Sequence, residues 1–451
     1  MKRIYLLLTA LLSLTTYSVA QTPLDFPGAA TARTGIYIEN LASGKIETDY
    51  NACVPFTPAS VMKCVTSATA QIVLKPDFRF RTTVRPTGHI ASGVLQGNLL
   101  VIGGADPTLG SRHFPENDCF AKEVVAYLRK IGVDSIAGDI IVDDSCLPSI
   151  GISPFWLQED IAWEYGAGLY GVNFRDNSFP LTVRPGVEPE SGQVEVVNKL
   201  RRDKTGEVFA MRAYDSPVLT LTGTITGPSY TSRYSMPSPS FSLYNYLIGE
   251  LAECGIGCAG DTFDNNENAA EPMVFMSPQR DEILRSLMMH SNNLFAEGML
   301  RATVLGNSAN RRGFDDAVTA ETALWRGCGL DMNGSRWLDG CGLAPVQRIT
   351  PKTLACVLTH MARSPRSADY VALFPLAGVE GTVRSLLAKT PLSGKMALKS
   401  GSMNSVVCYA GYKLNDDGKP THAVVIMVNG FGCSASAVRK AVSVYLQNRF
   451  Q

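Results

Sequence analysis

Ser60-Val61-Met62-Lys63 holds the residues best placed to do chemistry. A serine and a lysine three apart on a helix share a face, with Cβ atoms about 5–6 Å apart, so the amine can reach the hydroxyl. A serine hydroxyl is a poor nucleophile until a base takes its proton. Lysine becomes that base when burial or a neighbouring cation lowers its pKa. A helix start also presents backbone N–H groups to a developing oxyanion. An isolated S-x-x-K is more often a capping serine and a solvated lysine, so the pair needs company.

Two further clusters supply it. Ser291-Asn292-Asn293 sits between the apolar runs Ile283 to Met289 and Leu294 to Ala296, as at a break between two helices. A hydroxyl there can relay protons, and the Asn293 amide can both donate to and accept from a peptide backbone. Ser308-Ala309-Asn310 and Ser402-Met403-Asn404 match the same short pattern, so it is weak alone. Lys399-Ser400-Gly401-Ser402 lies within an alternating, strand-like segment. Gly401 lets another backbone approach closely. The hydroxyls of Ser400 and Ser402 can bind a carboxylate, and the Ser402 N–H can be an oxyanion donor. Lys399 would attract that carboxylate and depress the pKa of Lys63. Lys204-Thr205-Gly206 matches K-[ST]-G more literally, but its charged neighbours suit an exposed hairpin turn.

These clusters need elements to hold them. Gly35 to Tyr50 reads as a hairpin turning at Ala42-Ser43-Gly44. Val61, Val65, Ala68 and Ile72 recur at helical spacing until Lys75-Pro76 stops the helix. Strand-like, Gly-punctuated text fills much of 80–265, including Asn98 to Ile102 and Leu219 to Thr222. Helical periodicity returns over Asp281 to Leu305. Strands follow at Met396 to Tyr412 and Ala423 to Asn429, then a helix over Ser434 to Gln447. Mixed elements at both ends with a β-rich middle suggest an α/β domain carrying a large insertion.

The chain has 451 residues, 41 Lys+Arg against 41 Asp+Glu, and 45% hydrophobic residues. That excludes a disordered chain, and zero net charge gives no overall attraction to nucleic acid. Five histidines without an H-E-x-x-H pattern leave little material for a catalytic metal. Lys2 and Arg3, the apolar run Ile4 to Leu14, and Ser18-Val19-Ala20 read as a cleavable export signal over residues 1–20. No later stretch is long and apolar enough to span a bilayer. Eleven cysteines, an odd number, leave at least one unpaired or bridging between chains. Cys254 and Cys258 are close enough in sequence to be a disulfide or two buried thiols.

S-x-x-K, S-x-N and K-[ST]-G in this order are shared by penicillin-binding proteins and β-lactamases. The sequence resembles the class C low-molecular-mass penicillin-binding proteins of the peptidase S13 type. The resemblance rests on Pro55 to Lys63, Ile102-Gly103-Gly104-Ala105-Asp106-Pro107-Thr108-Leu109, Glu159-Asp160, Tyr165-Gly166-Ala167, Asn173 to Asn177 and Ala377 to Thr382. It implies a transpeptidase-like domain, a sheet flanked by helices with a helical subdomain, carrying two inserted β-rich domains. By that reading residues 21–82 and 268–451 are catalytic. Residues 83–95 and 166–267 form the first insertion, and 96–165 a second nested within it. Ser291 stands 231 positions after Ser60 by subtraction, a gap far longer than in a class A β-lactamase.

The resemblance also implies an exported D-alanyl-D-alanine carboxypeptidase and endopeptidase that cuts peptidoglycan stem peptides, is acylated by β-lactams and needs no cofactor or metal. Ser60, Lys63, Ser291 and Lys399 are its expected catalytic residues. Asn293, Ser400, Gly401, Ser402 and Asp160 are expected to bind substrate. A catalytically weak penicillin-binding sensor and a β-lactamase are the rival readings. The sequence departs from the family pattern at Ser400 (usually Thr), Asn292 (Asp), Cys341 (Ser) and Ala344-Pro345 (Ser-Arg). Loss of that arginine bears on recognition of a diaminopimelate side chain.

Overall fold

The computed structural model describes residues 23–148, 150–214, 216–305 and 313–450. The expected export signal and Ser308-Ala309-Asn310 lie outside them. The elements around the site are β1 (Arg33–Asn40), β2 (Ile46–Tyr50), α1 (Met62–Val73), α2 (Arg280–His290), α3 (Asn293–Leu305), β3 (Met396–Met403), β4 (Val406–Leu414), β5 (Pro420–Asn429) and α4 (Ala435–Phe450). The five strands form an antiparallel sheet in the order β3-β4-β5-β1-β2, which leaves β3 at an edge.

Both faces of this sheet are covered, which explains near-continuous apolar runs such as Val424 to Val428. Ile36, Ile38, Val424, Ile426 and Val428 join Val438, Val442 and Leu446 of α4 in one core. Tyr37, Val425 and Met427 point the other way, into a core shared with Val61, Val65 and Ala68 beside α1. The same alternation along β3 sends Met396 and Leu398 toward α4 and Ala397 toward α1. Lys399 and Gly401 therefore face α1, while Ser400 and Ser402 face the other side of the edge. Ten consecutive residues of α1, Met62 to Gln71, are buried, so this helix runs through the core.

Strands Arg81–Pro86 and Met273–Met276 pair antiparallel where the chain leaves and re-enters this body. Between them the hydrophobic cores divide the insertion differently from the expected boundaries at 95/96 and 165/166. Leu99–Ile102 pairs with Arg81–Pro86 and with Ile140–Asp143 in a single sheet. Val84, Leu95, Val101, Leu128 and Ile140 share one core with Leu243, Leu247 and Phe275. A second core gathers Ala162, Leu181, Val196, Leu221 and Tyr234. Pairing across the expected boundary joins the segment after 96 to the first insertion, and the nested unit is the stretch from about Ala162 to Met236. The helices Phe120–Lys130 and Pro239–Glu253 also lie in the middle, in text that reads as strand-like. Both cover the first sheet with their apolar stripes. Lys204 to Gly206 is exposed, as expected, but its flanking strands both pair with Val218–Ile225 and not with each other. Cys254, at a helix end, and Cys258, in a short strand, are free thiols and not a disulfide.

Candidate active site

Ser60 sits in a short 3-10 turn, Ala59–Val61, that feeds directly into α1. Ala59 adopts a left-handed conformation (φ 48°), costly for a residue with a Cβ and held by what surrounds it. Two glycines make that packing feasible. A Cβ at Gly342 would lie 1.9 Å from the Ala59 carbonyl oxygen, and one at Gly401 would lie 2.6 Å from that of Pro58. Gly401 also faces the Ser60 amide nitrogen at 3.0 Å by the same measure, so the edge of β3 presses against the turn that carries the serine.

One turn along the helix, Lys63 is wholly buried and donates three hydrogen bonds. Its Nζ lies 2.9 Å from Ser60 Oγ, 2.6 Å from Asn293 Oδ1 and 2.7 Å from the Cys341 carbonyl. Burial lowers its pKa, opposed by the nearby Cys341, Asp339 and Glu297. Lys399 is equally buried and donates to Ser291 Oγ at 2.9 Å and to the Ser400 carbonyl at 2.7 Å. Its pKa is driven well down, by burial first and by Lys63 second. The expected role of Lys399 as the depressor of Lys63 is therefore revised: desolvation is the leading cause at both amines.

Ser291 occupies the break between α2 and α3 in a left-handed conformation (φ 57°). Asn292 accepts from the Phe295 amide at 3.0 Å and so caps α3, which an aspartate would also do. Asn293 uses both ends of its amide: Oδ1 accepts a hydrogen bond from Lys63, and Nδ2 donates to the Tyr165 carbonyl at 2.7 Å. It is a strut between the two lobes as well as a candidate contact for a substrate backbone.

These groups converge on a cleft of about 650 Å³ lined by Ser60, Ser291, Asn293 and Ser402, with Asp160, Glu159 and Tyr165 from the insertion opposite. Ser402 Oγ accepts from Arg439 of α4 at 3.2 Å, and Ser400 Oγ is 2.7 Å from Thr382 Oγ1. Asp160 is half-buried, accepts from the Tyr165 hydroxyl at 3.0 Å, and has its pKa raised mainly by burial. Of the expected site residues, Ser60, Ser291, Asn293, Ser402 and Asp160 line this cleft, Lys63 and Lys399 reach its two serines, Gly401 backs the Ser60 turn, and Ser400 turns its hydroxyl to Thr382.

The Cys341 carbonyl, Tyr165, Thr382 and Arg439 also belong to this neighbourhood and were not among the expected site residues. Tyr165 and Thr382 lie in segments that carry the family resemblance. Nothing in sequence marks Arg439 or a backbone carbonyl. Glu297, Asp339 and Cys341 bring three ligand-type atoms within 4.8 Å of one another. Both Asp339 oxygens and one of Glu297 are already taken by N–H groups, which leaves too few for a metal.

The model of the D-Ala-D-Ala carboxypeptidase 3 (S13) family matches residues 16–449. The chain belongs to this family. Among S13 relatives, the D-alanyl-D-alanine carboxypeptidase of an Actinomadura species is 28% identical over 458 residues, covering 94% of this chain and 82% of its own. The carboxypeptidase DacB of Haemophilus influenzae is 24% identical over 416 residues, covering 88% and 85%. The crystal structure of penicillin binding protein 4 (dacB) from that organism superposes with a TM-score of 0.79 at 22% identity, covering 94% of this chain and 97% of the other, and shows that the fold is shared. The same protein has been solved with a β-lactam bound. The S13 chain described here is accordingly a serine-type D-Ala-D-Ala carboxypeptidase.

Proposed function

We propose that the cleft hydrolyses peptidoglycan stem peptides through an acyl-enzyme on Ser60, with Lys63 as the base. The observation that carries this reading is the pairing of each hydroxyl with its own buried amine, both at 2.9 Å, in one cleft. A desolvated amine is held toward its neutral, proton-accepting form. Lys63 takes the Ser60 proton as Oγ attacks the carbonyl of the penultimate D-alanine. The backbone N–H groups of Ser60 and Ser402 hold the oxyanion. Ser291, hydrogen-bonded to Lys399, passes the proton taken by Lys63 to the leaving amine, whether of free D-alanine or of a cross-link. Both cuts proceed through the same acyl-enzyme, so endopeptidase activity needs no further group.

Lys399, Ser400 and Ser402 orient the terminal carboxylate, with Gly401 giving the backbone room. A substrate backbone carbonyl takes the place of the Tyr165 carbonyl on Asn293 Nδ2. Asp160 receives the cationic end of the stem peptide's third residue. β-Lactams acylate Ser60 because they imitate the D-Ala-D-Ala end. The basic start and apolar run at the N-terminus support export to the periplasm, and no helix among the described residues is long and apolar enough to cross a membrane.

Intact-mass and peptide mapping after penicillin treatment test the assignment. A single adduct on Ser60, absent from Ser60→Ala, is expected, together with free D-alanine release from a D-Ala-D-Ala peptide. Lack of the adduct, or its survival in Ser60→Ala, overturns the reading.

A further inference from the structure

Behind the cleft, buried polar groups approach Lys63 from the side away from substrate. Glu297 lies on α3, one turn beyond Asn293, and is wholly buried. Its Oε1 accepts from the amides of Gly340 at 2.9 Å and Cys341 at 2.8 Å. Those bonds fix the turn whose Cys341 carbonyl receives the Lys63 amine at 2.7 Å. The other oxygen, Oε2, is buried and has no hydrogen-bond partner. The Cys341 sulfur lies within 4.8 Å of an oxygen of this carboxyl.

We propose that Glu297 is a positioning residue for the acylation step. It clamps the Gly340–Cys341 backbone so that the carbonyl holds the Lys63 amine on Ser60, and it sets an ionisable group beside that amine. The inference rests on Lys63 being the base.

Position and charge act together. Burial pushes the Glu297 carboxyl up to about 7, so it changes charge near neutral pH. As an anion it stabilises the protonated amine and delays the release of Lys63 for base duty. The other charged or titratable groups facing the pair are Asp339 and Cys341 on the turn, Arg301 on α3, Cys64 on α1, Lys399 on β3 and Glu321 from the following helix. Asp339 is locked by three hydrogen bonds, from the Trp156 indole and the amides of Gly342 and Ala344. Glu297 and Glu321 each keep a free oxygen, but Glu321 accepts from Thr69, whereas Glu297 holds the Gly340–Cys341 turn and lies one turn of helix from Asn293.

The test is the pH dependence of acylation by a β-lactam, followed on the full chain. The rate falls at low pH as Lys63 gains a proton, so the acid limb reports its pKa. Glu297→Gln keeps an oxygen to accept both amides but removes the charge. Its acid limb is expected to move to lower pH, because a negative charge that favours the protonated amine is gone. Cys341→Ser offers the carboxyl a stronger donor, favours the anion and moves the limb upward, and it decides the matter should Glu297→Gln fail to fold. Limbs superimposable on wild type, or both displaced in one direction, overturn the inference. A wild-type profile with no acid limb overturns instead the reading of Lys63 as base.

Discussion

Replacing Lys63 with methionine separates catalysis from stability, and the structure sets the scale of each. The amine donates to Ser60, Asn293 and the Cys341 carbonyl, all within 2.9 Å. Methionine has similar length and no proton to exchange, so the Ser60 hydroxyl loses its base. Positioned general-base catalysis is worth about 10²–10⁴-fold, or roughly 2.7–5.5 kcal/mol. On the stability side, the Cys341 carbonyl loses its donor in the interior, at a cost of about 1–3 kcal/mol. Against that, burying an ammonium costs several kcal/mol, and methionine removes the burden. Ser60 and Asn293 border the cleft and can turn to water. The two effects oppose each other, so Tm should change little while acylation collapses. Stopped-flow or mass-resolved acylation by a β-lactam, beside a thermal melt of the same sample, measures both. Acylation within tenfold of wild type in a folded Lys63→Met protein would refute the role given to this amine.

Gly401→Ala should slow acylation by about tenfold to a hundredfold, because the new Cβ meets the Pro58 carbonyl at 2.6 Å and the edge strand must retreat from Ser60. Wild-type acylation by this variant would show that the close approach is not needed. Asp160→Asn should lower kcat/KM about tenfold for a stem peptide ending its third residue in an ammonium, the scale of one charge-assisted hydrogen bond (~1.5 kcal/mol). A peptide with an uncharged third side chain should be unaffected, and equal losses on both peptides would remove Asp160 from recognition.

Local spacing made part of this site readable. Ser60 and Lys63 meet because a helix brings residues three apart onto one face, and the apolar recurrence through Ile72 announces that helix. The break at Ser291 and the alternation around Lys399 are legible for the same reason. Each depends on a period of a few residues. Asn293 is different: the sequence suggests an amide free for substrate, but the fold ties it to Lys63 and to the Tyr165 carbonyl. The division of the insertion was hidden as well, since nothing in the spacing of Leu99 to Ile102 tells which strand it pairs with.

The chemical parts, their order and the elements that carry them are written in local pattern, because helical and strand periodicity is a property of neighbouring residues. The protonation chemistry comes from packing. Lys63 and Lys399 are ordinary lysines in sequence, and both lose their usual proton affinity when packing removes water from them. Their partners come from α3, from the turn at Cys341 and from the break at Ser291, all distant along the chain. Desolvation and a charge's neighbours depend on what surrounds a group in space, and no short-range pattern encodes that.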